Sequence, residues 1–182
     1  MAIPTDAARP QREVLTWQGF GDATRELARS ISDSGWMPDL VIAVARGGLL
    51  PAGALAYALD VKAMGTMNVE FYTGIGQTLP EPQLLPPLMD VSSVVGRKVL
   101  VVDDVADSGR TLKMVMELLC EHGLSLDGSH AVPVEARSAV LYTKRHSVIS
   151  PDYSWRETGL WISFPWSCRP PVTAEDGAAP KD

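Results

Sequence analysis

The stretch VLVVDDVADSGRTL, Val99 to Leu112, sets two adjacent carboxylates, Asp103 and Asp104, behind an apolar run, with a third, Asp107, three residues on. Ser108, Gly109, Arg110 and Thr111 follow directly. Neighbouring carboxylates repel, so such a pair makes physical sense beneath a cation or a polyhydroxyl ligand, as magnesium carboxylates or as acceptors for vicinal sugar hydroxyls. The turn behind the pair has the opposite character. Its small side chains leave backbone N–H groups accessible, the start of a following helix offers unpaired donors, and the Ser108 and Thr111 hydroxyls can add to them. That combination is a phosphate cradle, and Asp107, which would repel a bare phosphate, is expected to face another part of the ligand. In a purely structural role Asp103 would be a capping acid and Asp104 a solvated one, a reading that the DSGRT run disfavours. A GxxxxGK[ST] loop is absent, and so is the alternating-acid pattern of a phosphoaspartate enzyme.

These residues need a scaffold. Ala23, Leu27 and Ile31 recur at helical spacing behind Asp22, a candidate N-cap, with Gly35 as the stop. Asp39 to Ala45 (DLVIAVA) is a short continuous apolar run rich in β-branched residues, the pattern of a strand covered on both faces. It runs through Arg46, Gly47 and Gly48 into an apolar helix from about Leu49 to Leu59. Val61 to Tyr72 reads as a strand, and the Gly- and Pro-rich Thr73 to Ser93 as a long loop. Then come a strand at Lys98 to Val102, a helix from about Gly109 to His122 with Gly123 behind it, and a strand at Ala136 to Tyr142. Strand and helix alternate, which predicts an α/β fold: a mostly parallel twisted sheet with helices on both faces. The aromatic segment Ser150 to Cys168 reads as a small C-terminal hood. The expected organisation is a flexible N-terminus (1–12), one domain (13–168, its hood covering about 150–168) and a flexible tail (169–182).

Composition narrows the partners. A chain of 182 residues, 46% hydrophobic, can bury a substantial core, and its net charge of −6 argues against a general nucleic-acid or membrane-surface binder. An anionic substrate must therefore be met by local donors. Cys120 and Cys168 match no zinc spacing and are expected to be a buried helix residue and a near-terminal thiol. His122, His130 and His146 show no metal-ligand spacing and receive no role. The first residues lack a basic-then-apolar signal segment and no apolar stretch is long enough to span a bilayer, so a soluble cytoplasmic protein is expected.

The acidic stretch closely resembles the ribose-phosphate signature of the type I phosphoribosyltransferases: an apolar strand, two acids, two mostly apolar residues, then D-[ST]-G-x-T. Every defining position is matched. The resemblance implies that Asp103 and Asp104 hold the ribose hydroxyls of phosphoribosyl pyrophosphate, directly or through Mg2+, and that Asp107, Ser108, Gly109, Arg110 and Thr111 wrap its 5′-phosphate. It implies a pyrophosphate loop at Ala45, Arg46 and Gly47, with a cis peptide between Ala45 and Arg46. The segment YTKRHSVISPDYSWRETGLWISFPWS resembles the hood of the xanthine-guanine and related 6-oxopurine phosphoribosyltransferases, matching at Lys144, Trp161, Ile162, Pro165 and Trp166. An indole stacks on a flat heterocycle and an ammonium donates to an exocyclic oxygen, so Lys144, Trp161 and Ile162 are the expected purine-binding residues. Asp107 is then the expected general base at the purine N7, and a homodimer the expected assembly.

Two departures stand against that pattern. The segment from Thr73 to Ser93 holds no arginine or lysine where relatives commonly carry a basic residue, which leaves Arg97 or Lys98 as substitutes. Ser167 stands where a relative often has an acid. The expected activity is transfer of the phosphoribosyl group to a 6-oxopurine. The rival readings are a regulatory module that senses phosphoribosyl pyrophosphate, which would need a basic face or DNA-binding extension, and a transferase for another base.

Overall fold

A computed structural model of the chain describes residues 11–74, 77–84, 88–89, 97–125 and 131–173. In chain order its elements are β1 (Arg12–Val14), α1 (Trp17–Asp33), β2 (Leu40–Ala45), α2 (Leu49–Leu59), β3 (Met64–Gly74), β4 (Gln77–Leu84), β5 (Leu88–Met89), β6 (Lys98–Ala106), α3 (Arg110–His122), β7 (Leu124–Ser125), β8 (Ala131–Val132), β9 (Glu135–Thr143), β10 (Tyr153–Glu157) and β11 (Trp161–Ser163). They fall into two units, one built from both ends of the chain, up to Phe20 and from Leu160 on, and one from Gly21–Gly159.

The larger unit is a sheet in the order β10-β9-β6-β2-β3-β4 with β5 beside β3. The strands from β10 to β3 run parallel; β4 and β5 run antiparallel to β3. Parallel neighbours need a crossover, and α2 between β2 and β3 and α3 between β6 and β9 provide two. Leu40–Val44, Val99–Val102 and Ser138–Tyr142 are buried at every position, which requires cover on both faces and explains their continuous apolar runs. Leu112, Val115 and Leu119 of α3 join Leu40, Ile42, Val99, Val101 and Val140 in one core cluster. The expected mostly parallel sheet with helices is the fold observed.

Several local expectations need correction. Helix α1 starts at Trp17, not beside Asp22: the Thr16 hydroxyl accepts the Gly19 N–H at 3.0 Å and caps the helix there. Two glycines in the first turns, Gly19 and Gly21, had hidden this start. The span Thr73–Ser93, expected as a loop, contains the antiparallel strands β4 and β5, and its prolines are tolerated because β4 closes the edge of the sheet. Residues 75–76, 85–87 and 90–93 of that span lie outside the described residues. Cys120, expected to be buried, lies on the exposed side of α3. Tyr153–Glu157, expected within the hood, pairs with β9 and extends the main sheet.

In the smaller unit β1 pairs in parallel with β11, Arg12 opposite Trp161 and Val14 opposite Ser163, and the Leu15 N–H continues the ladder to the Ser163 carbonyl at 3.1 Å. Leu15, Ile162 and Phe164 are buried. Trp166 stacks on Phe164, with centroids 4.9 Å apart, and meets Phe20 edge to face at 5.3 Å, so its role is packing. Of the ends expected to be flexible, residues 1–10 and 174–182 lie outside the described residues.

Candidate active site

The site grows from the carboxyl ends of two adjacent parallel strands, β2 and β6, where open α/β sheets bind their ligands. Strand β6 is longer than the apolar run suggested and continues to Ala106, so Asp103 and Asp104 lie on the strand rather than beyond it. Both are half-buried. The Asp104 N–H donates to Asp103 Oδ1 at 2.8 Å, yet the Asp103 carboxyl is pushed well above the usual carboxylate range, first by burial and then by the Asp104 charge. A cation would relieve this.

Among the described residues no three His, Cys, Asp or Glu side chains form a ready-made metal cage. Two crowded carboxylates still fit Mg2+, which commonly takes one or two carboxylates and completes its shell with water and substrate phosphates.

On the neighbouring strand the chain leaves β2 through a cis Ala45–Arg46 peptide into Gly47 and Gly48. The turn is closed by Gly48 N–H to Val44 O at 2.8 Å and Leu49 N–H to Arg46 O at 3.2 Å. A Cβ on Gly47 would fall 2.5 Å from the Asp104 carboxylate, and one on Gly48 would strike the Val102 and Val44 carbonyls. Glycine is thus required because the turn lies directly against the acid pair. Arg46 is exposed at its tip.

After β6, Asp107 and Ser108 are exposed, Gly109 takes a left-handed φ of 74°, and α3 starts at Arg110 with no side-chain capping bond from Gly109. The Arg110 N–H makes a long contact with Ser108 Oγ at 3.5 Å, and a helix start of this kind directs its first-turn N–H groups toward an anion. The side chains of Arg110 and Thr111 are exposed and half-buried respectively. Lys144 follows β9, next to β6 in the sheet; it is buried and its N–H donates to the Ala106 carbonyl at 3.1 Å. The structure thus gathers Ala45, Arg46, Gly47, Asp103, Asp104, the 107–111 turn and Lys144 at neighbouring strand ends of one unit. Trp161, 68% exposed, and the buried Ile162 belong to β11 of the other unit.

Two expectations change here. Lys98 opens β6 and Arg97 precedes it, so both lie at the end of the strand opposite to Asp103, about 17 Å away at strand rise. Neither is placed to replace the basic residue missing from 73–93. His146, given no role in the sequence, brings Nε2 to 3.0 Å from Asp107 Oδ1. The two are far apart in sequence; the only linear signal was the nearness of His146 to Lys144.

Comparison with known proteins agrees with this geometry. A family model described as "Phosphoribosyl transferase domain" matches residues 10–172. The xanthine-guanine phosphoribosyltransferase of Ruegeria sp. is 30% identical over 165 residues, covering 84% of this chain and 83% of that one. Its counterpart in Gluconobacter oxydans is 29% identical over 158 residues, covering 86% and 84%. A solved purine phosphoribosyltransferase from Pyrococcus horikoshii superposes with a TM-score of 0.65 at 32% identity, covering 89% of this chain and 97% of that one. With the acid pair, the glycine turn and the helix start placed on the sheet this fold provides, the chain belongs to the phosphoribosyl transferase domain family.

Proposed function

We propose that the protein transfers the 5-phosphoribosyl group of phosphoribosyl pyrophosphate to N9 of a 6-oxopurine, giving the nucleotide and pyrophosphate, a purine-salvage reaction. The observation that carries this reading is the contact of the Gly47 turn with the Asp104 carboxylate, which sets an anion-binding turn against a sugar- or metal-binding acid pair. The names of the relatives support a 6-oxopurine as acceptor.

In this reading the ribose hydroxyls lie over Asp103 and Asp104, the 5′-phosphate takes the N–H groups and hydroxyls of Ser108–Thr111, and the pyrophosphate meets Ala45–Gly47 and the Arg46 guanidinium. Held by Asp103 and Asp104, Mg2+ would supply positive charge against the leaving pyrophosphate. The C1–O bond breaks with its electron pair going to pyrophosphate, the C1–N9 bond forms, and Asp107 accepts the proton from N7. Lys144 donates to the 6-oxo group, which adenine, bearing an amino donor there, cannot match. Trp161 and Ile162 contribute the flat apolar contact to the base. We assign the protein to the cytoplasm as a homodimer; among the described residues no helix is long and apolar enough to cross a membrane.

The test is an absorbance assay with phosphoribosyl pyrophosphate, Mg2+ and hypoxanthine, guanine, xanthine, adenine or uracil in turn. Nucleotide from at least one of the first three is expected. Turnover with none of them would refute the reading, and binding of phosphoribosyl pyrophosphate without turnover would favour a sensor.

A further inference from the structure

The loop after β9 is fastened to the turn after β6 at two points: the Lys144 N–H donates to Ala106 O at 3.1 Å and the Val148 N–H to Ser108 O at 2.9 Å. Within the loop the Ser147 N–H returns to Lys144 O at 3.1 Å and its hydroxyl donates to Ile149 O at 2.8 Å. Gly109 seals the seam, because a Cβ there would strike the Ser147 hydroxyl and Ile149. Between these fastenings lies the His146–Asp107 contact at 3.0 Å.

Both side chains are more than half exposed, and an isolated surface pair of this kind contributes little to stability. This one differs because the backbone on each side is already fixed, so the entropy of bringing the two chain segments together is met by other bonds. An ionised carboxylate has no proton to give, so the imidazole Nε2–H is the donor.

We propose that His146 is a positioning residue for Asp107: it holds Oδ1 and so aims Oδ2 at the N7 proton of the purine. The proposal rests on the phosphoribosyl-transfer reading, which does not itself require His146. One loop then delivers both the lysine that reads the base and the histidine that aims its proton acceptor. Donating through Nε2–H at 3.0 Å, His146 fixes the orientation of the carboxylate. The other charged groups of the region are Arg110 at the start of α3, Lys144, and Arg145, which is taken by Glu157 of β10 at 2.6 Å.

The experiment is steady-state kinetics of the full chain, His146→Ala and His146→Gln between pH 5.5 and 9, with both substrates varied. His146→Ala is expected to lose about tenfold in kcat/KM for the purine, a fraction of a general base's usual contribution, with KM for phosphoribosyl pyrophosphate unchanged. His146→Gln, a neutral donor, should recover most of that loss at pH 8. Both variants should unfold at the wild-type temperature, since the residue is exposed. An active wild type with unaltered constants in His146→Ala would overturn the proposal, as would a His146→Gln enzyme no better than His146→Ala. A wild type that turns over no 6-oxopurine gives a different result, refuting the functional reading and this proposal with it.

Discussion

Acidic residues stand at both ends of the parallel strands, and the two ends treat them differently. At the amino ends the Asp39 carboxylate accepts the Lys98 N–H at 2.9 Å while the Asp39 N–H donates to Lys98 O at 2.8 Å, tying β2 to β6. There too Glu135 accepts the Trp36 indole N–H at 2.6 Å, with Arg137 at 3.5 Å and lying over the Trp36 ring. Each acid completes a local structure. At the carboxyl ends Asp103 and Asp104 face each other's charge, and Asp103 holds its proton more tightly than a free carboxyl does. The acids at the amino ends are matched with donors in the chain, whereas Asp103, proposed to serve a ligand, carries a charge cost from burial and from Asp104 that a bound cation or ligand would relieve.

Substitutions at the two ends should therefore have opposite signatures. The largest effect is expected for Asp103→Asn, with transfer reduced about 100-fold or more in steady-state assays. The same change should stabilise the ligand-free protein at neutral pH. Because the Asp103 pKa is raised in the folded state, the stability linked to its proton is present below the ordinary carboxylate value of 3.8 and lost as pH rises through the raised one. Thermal melts should therefore place Asp103→Asn above the wild type at pH 8 and level with it near pH 3. If the variant instead melts lower at pH 8, the charge cost at this end is not real.

Gly47→Ala comes next, with activity down about tenfold or more, because the new methyl must displace the Asp104 carboxylate. Retained activity would show that the turn and the acid are not coupled. Asp152→Ala, on the structural side, removes the acceptor of both the Ser138 N–H at 2.7 Å and its hydroxyl at 2.8 Å. Ser138 is buried, so chemical denaturation should report a loss of about 1–3 kcal/mol with kcat unchanged. The smallest change is expected for Asp39→Asn, about 1 kcal/mol of stability and no loss of transfer, read by the same two measurements.

The parallel core was legible because β2, β6 and β9 are buried on both faces and so appear as unbroken apolar runs. The acid pair and the DSGRT turn were legible because they are contiguous: one strand end and one helix start carry the whole pattern. What escaped the sequence depends on contacts between distant segments or on edges. Strand β4 hides behind prolines that a central strand would exclude but an edge admits. The start of α1 is set by one hydroxyl, Thr16, ahead of two glycines that weaken the helical signal. His146 meets Asp107 only because β9 lies beside β6, a neighbour relation no local pattern encodes. The Gly47 requirement belongs to the same class, since its cause is a carboxylate on another strand.

The pairing of β1 with β11 has a consequence for the order in which the protein matures. Strand β1 leaves the ribosome first and must wait for its partner until the whole of Gly21–Gly159 has been translated. The sheet with its acid pair can therefore form on the nascent chain, whereas Trp161 and Ile162 acquire their ladder only at the close of synthesis. A ribosome-stalled chain whose native sequence ends before Leu160, continued by a linker long enough to clear the exit tunnel, should already protect β2, β6 and β9 from proteolysis while leaving Arg12–Val14 open to cleavage.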